Sequence, residues 1–200
     1  MDRRLAAVLV VDVVGYSRLM GADEAGTHER LKLLRKELVH PRIKDRKGRV
    51  VKLSGDGLLA EFASIVDAVQ SAIDIQKAMQ ETDTEMPDEQ RIRLRIGVNL
   101  GDIIFEDSDI YGDGVNLAAR LEALAQPGGV CISGKVHEEV RDRTELVFED
   151  LGEVEVKNFA RPVRVWQWTA DGPAADARPD RIFSITWIAS SMGRYTSSSR

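Results

Sequence analysis

One cysteine, Cys131, occurs in 200 residues, so no disulfide can form within the chain and a reducing cytoplasmic compartment is the expectation. Only three histidines are present, and His28, His40 and His137 stand too far apart for metal-ligand spacing, which leaves them as surface residues. Long apolar runs are missing as well. The longest, such as Leu5 to Val11, fall well short of the roughly 20 residues that cross a bilayer, so no membrane span is expected, and no charged-then-apolar secretory start is visible. Basic excess is absent: the formal net charge is −5, which argues against a nucleic-acid partner. Neither G-x-x-x-x-G-K-[ST] nor G-x-G-x-x-G occurs, and there is no G-x-S-x-G elbow, which removes several common enzyme classes.

What remains is the composition of a soluble globular protein, with 43% hydrophobic and 30% charged residues, long enough for one domain with a sizeable core and an added tail. The domain is expected over residues 1–169. A linker and unassigned tail follow over 170–200, because the run from Asp171 to Pro179 is rich in Gly, Pro, Ala and Asp.

Leu5 to Val11 is a continuous, valine-rich apolar run, which fits a central strand buried on both faces. It ends in Asp12. A carboxylate there needs a partner, since an unpaired buried charge is costly. A metal ion is one such partner, and the turn Val13 to Ser17 is another.

From Asp23 to about His40, Leu31, Leu34 and Leu38 recur at helical spacing among charged residues, which predicts a surface helix stopped or kinked by Pro41. Gly48 opens a β-run that turns through Gly55-Asp56-Gly57 into Leu58 to Phe62, a tight hairpin with Lys52 and Asp56 on opposite limbs. Ser64 is placed to cap a second helix, whose buried side is Ile65, Val69, Ala72, Ile73 and Met79. Glu81 to Gln90 reads as a loop.

Arg91 to Val98 alternates with period two, a strand with one buried face and a row of arginines on the other. Those arginines can bind phosphates or line a solvated or subunit-facing surface. A turn at Gly101 and a short strand near Asp102 to Glu106 are expected next. Asp109 to Gly114 reads as a loop and Val115 to Ala125 as a helix, ended by Pro127-Gly128-Gly129. Asn116 and Arg120 are neighbours at i and i+4 on that helix, away from Leu117, Leu121 and Leu124. A strand near Val130 to Ile132, a helix capped by Ser133, and strands near Leu146 to Leu151 and Val163 to Trp168 complete the pattern.

Three segments in this order, V-V-D-V-V-G-Y-S ending a buried strand, K-L-S-G-D-G in the hairpin, and D-I-Y-G-D-G-V-N-L-A-A-R, resemble the class III adenylate/guanylate cyclase catalytic domains of bacterial type. The resemblance runs from about Leu5 to Trp168. It implies an α+β fold: a ferredoxin-like βαββαβ core with a central, mostly antiparallel sheet flanked by helices and extended by C-terminal strands. It also implies that Asp12 and Asp56, with the backbone carbonyl of Val13, hold two Mg²⁺ or Mn²⁺ ions. Gly15 and Tyr16 would offer backbone N–H groups to the triphosphate. Lys52 and Asp109 look like the purine-reading pair, Asn116 like the ribose-orienting residue, and Arg120 like the residue contacting the phosphate under attack. Lys157 resembles a further triphosphate-binding lysine. Asp102 stands where some relatives carry a basic residue for the triphosphate.

Cyclisation makes the ribose 3′-oxygen attack the α-phosphate of the same nucleotide and expels pyrophosphate, so the protein supplies no nucleophile. It must supply charge neutralisation and an in-line geometry, which two carboxylates holding divalent cations and an arginine can provide. Adenine presents a ring acceptor beside an amino donor, matching a lysine donor and an aspartate acceptor, whereas guanine would leave both mismatched. ATP is therefore the expected substrate, with cyclic AMP and pyrophosphate as products. Guanylate cyclase, a silent nucleotide-binding module of the same fold, and a palm-type nucleotidyltransferase are the alternatives. In the family's arrangement two domains pack head to tail, each contributing half of two sites, and a homodimer of this chain would suffice.

Overall fold

The computed structural model describes residues 2–82, 87, 89–107, 109–157 and 159–172, and nearly all of the expected tail lies outside them. Eight strands form one sheet: β1 (Asp2–Val13), β2 (Arg49–Ser54), β3 (Gly57–Phe62), β4 (Leu94–Glu106), β5 (Asp109–Tyr111), β6 (Val130–Ser133), β7 (Glu149–Val154) and β8 (Val163–Trp168). The order along the sheet is β2-β3-β1-β4-β6-β8-β7, with β5 paired to β4 beside this path. Its first four members are antiparallel to one another and carry the expected ferredoxin-like order. The β4–β6 pairing is parallel, and β8 and β7 extend the sheet antiparallel.

The helices are α1 (Tyr16–Ala22), α2 (Glu24–Leu34), α3 (His40–Asp45), α4 (Ile65–Thr82), α5 (Asp113–Leu124) and α6 (Gly134–Val140), with a π turn at Arg35–Val39 between α2 and α3. Among the described residues no helix is long and apolar enough to cross a membrane.

Alternation along β1 explains the layers. Ala7, Leu9, Val11 and Val13 point to one face, where they pack with residues of α1 to α4 and α6. Ala6 and Val8 point to the other, where they meet Leu59, Ile103, Ile110 of β5 and Ala118 of α5. Both faces are thus covered and Ala7, Val8 and Leu9 have no exposed surface, as the unbroken apolar run requires. Asp12 shares the register side of Val8 and Val10, so it leaves the strand on the α5 face.

Several local expectations need correction. Pro41 does not end the helix, because it falls in the first turn of α3, where a missing N–H leaves no helical bond unmade. The widened π turn ahead of it absorbs the change, with His40 N–H donating to the Arg35 carbonyl. Gly101 makes no turn: β4 runs straight through it and pairs with β1 from Phe105 to Leu94. The glycine serves a close approach instead, since a Cβ there would lie 2.8 Å from Gly114 Cα.

Asp109 to Tyr111 is a strand rather than loop, and α5 starts at Asp113, ahead of Val115. Ser64 caps α4 as expected, its hydroxyl accepting from Asp67 N–H at 3.2 Å. Ser133 precedes α6 but its hydroxyl is drawn into the core, donating to Asn99 Oδ1 at 2.9 Å. The last antiparallel pair begins at Glu149, three residues later than read. Of the histidines only His28 is a surface residue; His40 is half-buried, and half-buried His137 stacks on Trp166 at 3.6 Å.

Candidate active site

The hairpin turn sets the first element of the site. Ser54 pairs with Gly57, and Gly55 takes φ +58° at the first loop position, a conformation glycine adopts without strain. Asp56 follows, half-buried, beside Asp12 at the end of β1. Burial raises the pKa of the Asp56 carboxyl, and the Asp12 charge raises it further. Two carboxylates facing one another in this way repel unless a proton or a cation sits between them.

That donor set fits a divalent cation that prefers hard oxygen ligands and keeps positions open for phosphate and water. Among the described residues no group of three or more His, Cys, Asp or Glu side chains is placed to hold a metal. Two carboxylates and a strand-end carbonyl such as that of Val13 are what the chain offers here. Gly15, at φ +65°, caps α1 just beyond Asp12, and its carbonyl accepts from Arg18 and Leu19 N–H, so the amides ahead of Arg18 are the ones without a helical acceptor.

Lys52 lies in the edge strand β2, on the same face as Asp12, because the bulge between Val50 and Lys52 brings it opposite Leu59. Its Nζ donates to Asp109 Oδ2 at 2.6 Å and sits 5.3 Å from the Tyr111 ring centre. Burial pushes the Asp109 carboxyl up, but the Lys52 hydrogen bond and the Ile110 N–H outweigh it and hold it below the usual carboxylate range. The two residues expected to read the base are therefore brought together within one chain, with Lys52 ion-paired to Asp109.

Asn116 is exposed and Arg120 half-buried on α5, with Ala118 and Leu121 of the same helix fully buried. Lys157 sits exposed in the turn after β7, at the opposite edge of the sheet from Lys52. Asp102 is exposed on β4.

Three further residues frame the carboxylates and were not singled out by sequence. Arg35, in the π turn, donates to the carbonyls of Gly55 at 2.7 Å and Gly57 at 3.3 Å, clamping the turn that carries Asp56. Arg95 sits opposite Asp12 in the β1–β4 register and donates to Asp12 Oδ2 at 3.2 Å. Its Nε lies 3.0 Å from Glu122 Oε1 as an ion pair whose N–H is not aligned with the contact. The row of arginines thus divides. Arg95 faces acids within the fold, while Arg91 and Arg93 precede β4 and line a small hollow with Val14 and Arg18. Burial raises the Glu122 pKa to about 7, against the pull of Arg95.

A cavity of about 900 Å³ opens elsewhere, between the middle of β4, the start of α5, α6 and β8. None of the candidate site residues lines it. That cavity, whose lining includes Asp102, Asp113, Lys135, His137 and Arg164, is thus distinct from the Asp12–Asp56 carboxylate pair.

The model of the adenylate and guanylate cyclase catalytic domain matches residues 4–169. The chain belongs to this family. It is 54% identical over 167 residues to a protein of Rhizobium meliloti (strain 1021) provisionally named adenylate cyclase 3, covering 84% of this chain and 28% of that one. It is 33% identical over 144 residues to an adenylate cyclase of Streptomyces coelicolor, covering 70% of this chain and 35% of that protein. This cyclase domain therefore spans about a third or less of the length of those two relatives. Its fold is similar to the crystal structure of an adenylate/guanylate cyclase/hydrolase from Silicibacter pomeroyi, with a TM-score of 0.80 at 49% identity over 84% of this chain and 98% of that one.

Proposed function

We propose that the domain is an adenylate cyclase, converting ATP to 3′,5′-cyclic AMP and pyrophosphate at sites shared between two copies packed head to tail. The observation that carries the substrate choice is the Lys52–Asp109 pair, a donor and an acceptor 2.6 Å apart on one surface. Adenine's ring acceptor and amino donor match that pair. Guanine would leave a carbonyl and a protonated ring nitrogen mismatched, and buried mismatches of this kind discriminate by about 10⁴.

Asp12 and Asp56, with the Val13 carbonyl, would hold two Mg²⁺ or Mn²⁺ ions. When bound, such ions neutralise the triphosphate and favour the deprotonated 3′-hydroxyl. The remaining work falls to the chain's own groups. The first-turn amides at Gly15 and Tyr16 donate to phosphate oxygens, as unsatisfied N–H groups at a helix start do. Asn116 holds the ribose so that its 3′-oxygen lies in line with the α-phosphate. Arg120, four residues on and on the same face of α5, offsets the charge that grows on that phosphate. Lys157 approaches the terminal phosphates.

The exposed ring of Tyr111 beside the pair suits a surface that a second copy covers, which supports assembly of each site from two chains. The test is direct. Purified protein given ATP or GTP with Mg²⁺ or Mn²⁺ should release cyclic AMP and pyrophosphate from ATP, with specific activity rising with protein concentration. Conversion of GTP in preference to ATP overturns the substrate assignment, and concentration-independent specific activity from a monomer overturns the shared site.

A further inference from the structure

We infer that Arg95 is a positioning residue that ties the metal-binding carboxylate Asp12 to the helix carrying Asn116 and Arg120. The tie follows from the packing. Antiparallel register sets Arg95 directly across from Asp12, so the two side chains leave neighbouring strands on the same face. Two residues along β4, Gly97 lets α5 descend onto the strand: a Cβ there would lie 2.2 Å from the Ala118 carbonyl and 2.3 Å from Glu122 N. With the helix at that height, Glu122 turns inward, 8% exposed, over Arg95. One guanidinium then spans both partners, Nη2 to Asp12 Oδ2 at 3.2 Å and Nε to Glu122 Oε1 at 3.0 Å.

Only arginine suits this place. Its broad, permanently charged plane can donate to Asp12 from one nitrogen while another stays within ion-pair distance of Glu122, whereas a lysine presents one point charge on a flexible stem. With Oδ2 engaged by Arg95, the other oxygen of Asp12 is the one nearer the hairpin, 3.9 Å from a Cβ placed on Gly57. Glu122 lies two residues beyond Arg120, so a shift in the Arg95–Glu122 contact shifts the transition-state residue as well. In the head-to-tail dimer proposed above, on which this inference rests, Asp12 and Arg120 of one chain serve different sites. Arg95 therefore joins the metal half of one site to the transition-state half of the other.

The test separates position from charge. Removing a cation beside Asp12 leaves Mn²⁺ binding to the nucleotide-free protein, read by electron paramagnetic resonance, at least as tight in Arg95→Met as in the wild type. Turnover nevertheless falls by at least about tenfold, as expected when reacting groups are misplaced. Arg95→Lys, which keeps the charge and guards against misfolding of the methionine variant, shows the same loss with an unchanged circular dichroism spectrum. Unchanged kcat in both variants overturns the inference.

Mixed dimers of Asp12→Ala and Arg120→Ala chains, each inactive alone, contain one complete site. Arg95→Met added to the Arg120→Ala chain reaches that site through Asp12, and added to the Asp12→Ala chain it reaches it through Glu122. Both placements should lower turnover, and a null result in either overturns the tie. Failure of the two parent chains to complement sinks the dimer reading instead, and the Mn²⁺ binding and kcat of the Arg95 variants then decide the inference by themselves.

Discussion

Lys52 Nζ donates to Asp109 Oδ2 at 2.6 Å across the gap between the edge strand β2 and the short strand β5. The contact gives the proposed base-reading surface a donor and an acceptor already held together. Lys52 also lies against the Tyr111 ring, which limits where its ammonium can go.

Lys52→Ala should therefore act on substrate choice. The ratio of kcat/KM for ATP over GTP should fall by at least about tenfold, since the site loses the donor that adenine's ring nitrogen requires. Steady-state rates with both nucleotides check this, and an unchanged ratio would remove the pair from base recognition.

Arg120→Ala should cost about 3 kcal/mol of transition-state stabilisation, roughly a hundredfold or more in kcat, because a preorganised donor is lost where charge develops. Arg120 is half-buried on α5 and its neighbours Ala118 and Leu121 carry the packing, so the melting temperature should change little. A large drop in melting temperature together with lost activity would assign Arg120 to the fold.

The division between what the sequence discloses and what it hides follows from period and distance. Strand β1 was legible because an unbroken apolar run fits burial on both faces, which holds for its middle although Leu5 at its start stays 56% exposed, and α4 because a cap and an apolar stripe agree. The three motif segments placed Asp12 at a strand end, Lys52 and Asp56 on a hairpin and Asn116 and Arg120 on a helix, as the structure has them, whereas Asp109 was read as loop and lies in the short strand β5. The functions of Gly101 and Arg95 were not legible. Glycine in a strand pattern signals either a bend or a close neighbour, and only the approach of Gly114 decides between them. Arg95 sits in a row that alternates like a solvated face, and its partners are 83 residues before it and, through Glu122, on a later helix. Arg35 escaped for the same reason, because its acceptors are backbone carbonyls of a turn 20 residues on.

Gly97→Ala should be strongly destabilising. The added methyl meets backbone at 2.2 and 2.3 Å, which no side-chain rotation relieves, so α5 must lift from β4. A loss of about 3 kcal/mol in chemical denaturation is expected, the upper end of overpacking costs. Cyclase activity should fall further than stability accounts for, since α5 carries Asn116 and Arg120. Wild-type stability in this variant would mean that helix and strand can separate at no cost.

Glu122 should make stability depend on pH in the opposite sense to an ordinary paired carboxylate. Burial raises its pKa from 4.5 to about 7 in the folded chain, so between those values the folded state holds a proton that the unfolded state has released. Stability therefore declines as pH rises through that window, with a slope of up to one proton from this residue. Asp109 works the other way: its folded pKa is lowered, so its contribution is present at neutral pH and lost as pH falls through the acid range. Glu122→Gln cannot ionise, and denaturation midpoints measured across the window should decline less steeply with pH than in the wild type. An identical pH profile in the two proteins would mean that Glu122 is already ionised throughout and that its pairing with Arg95 outweighs its burial.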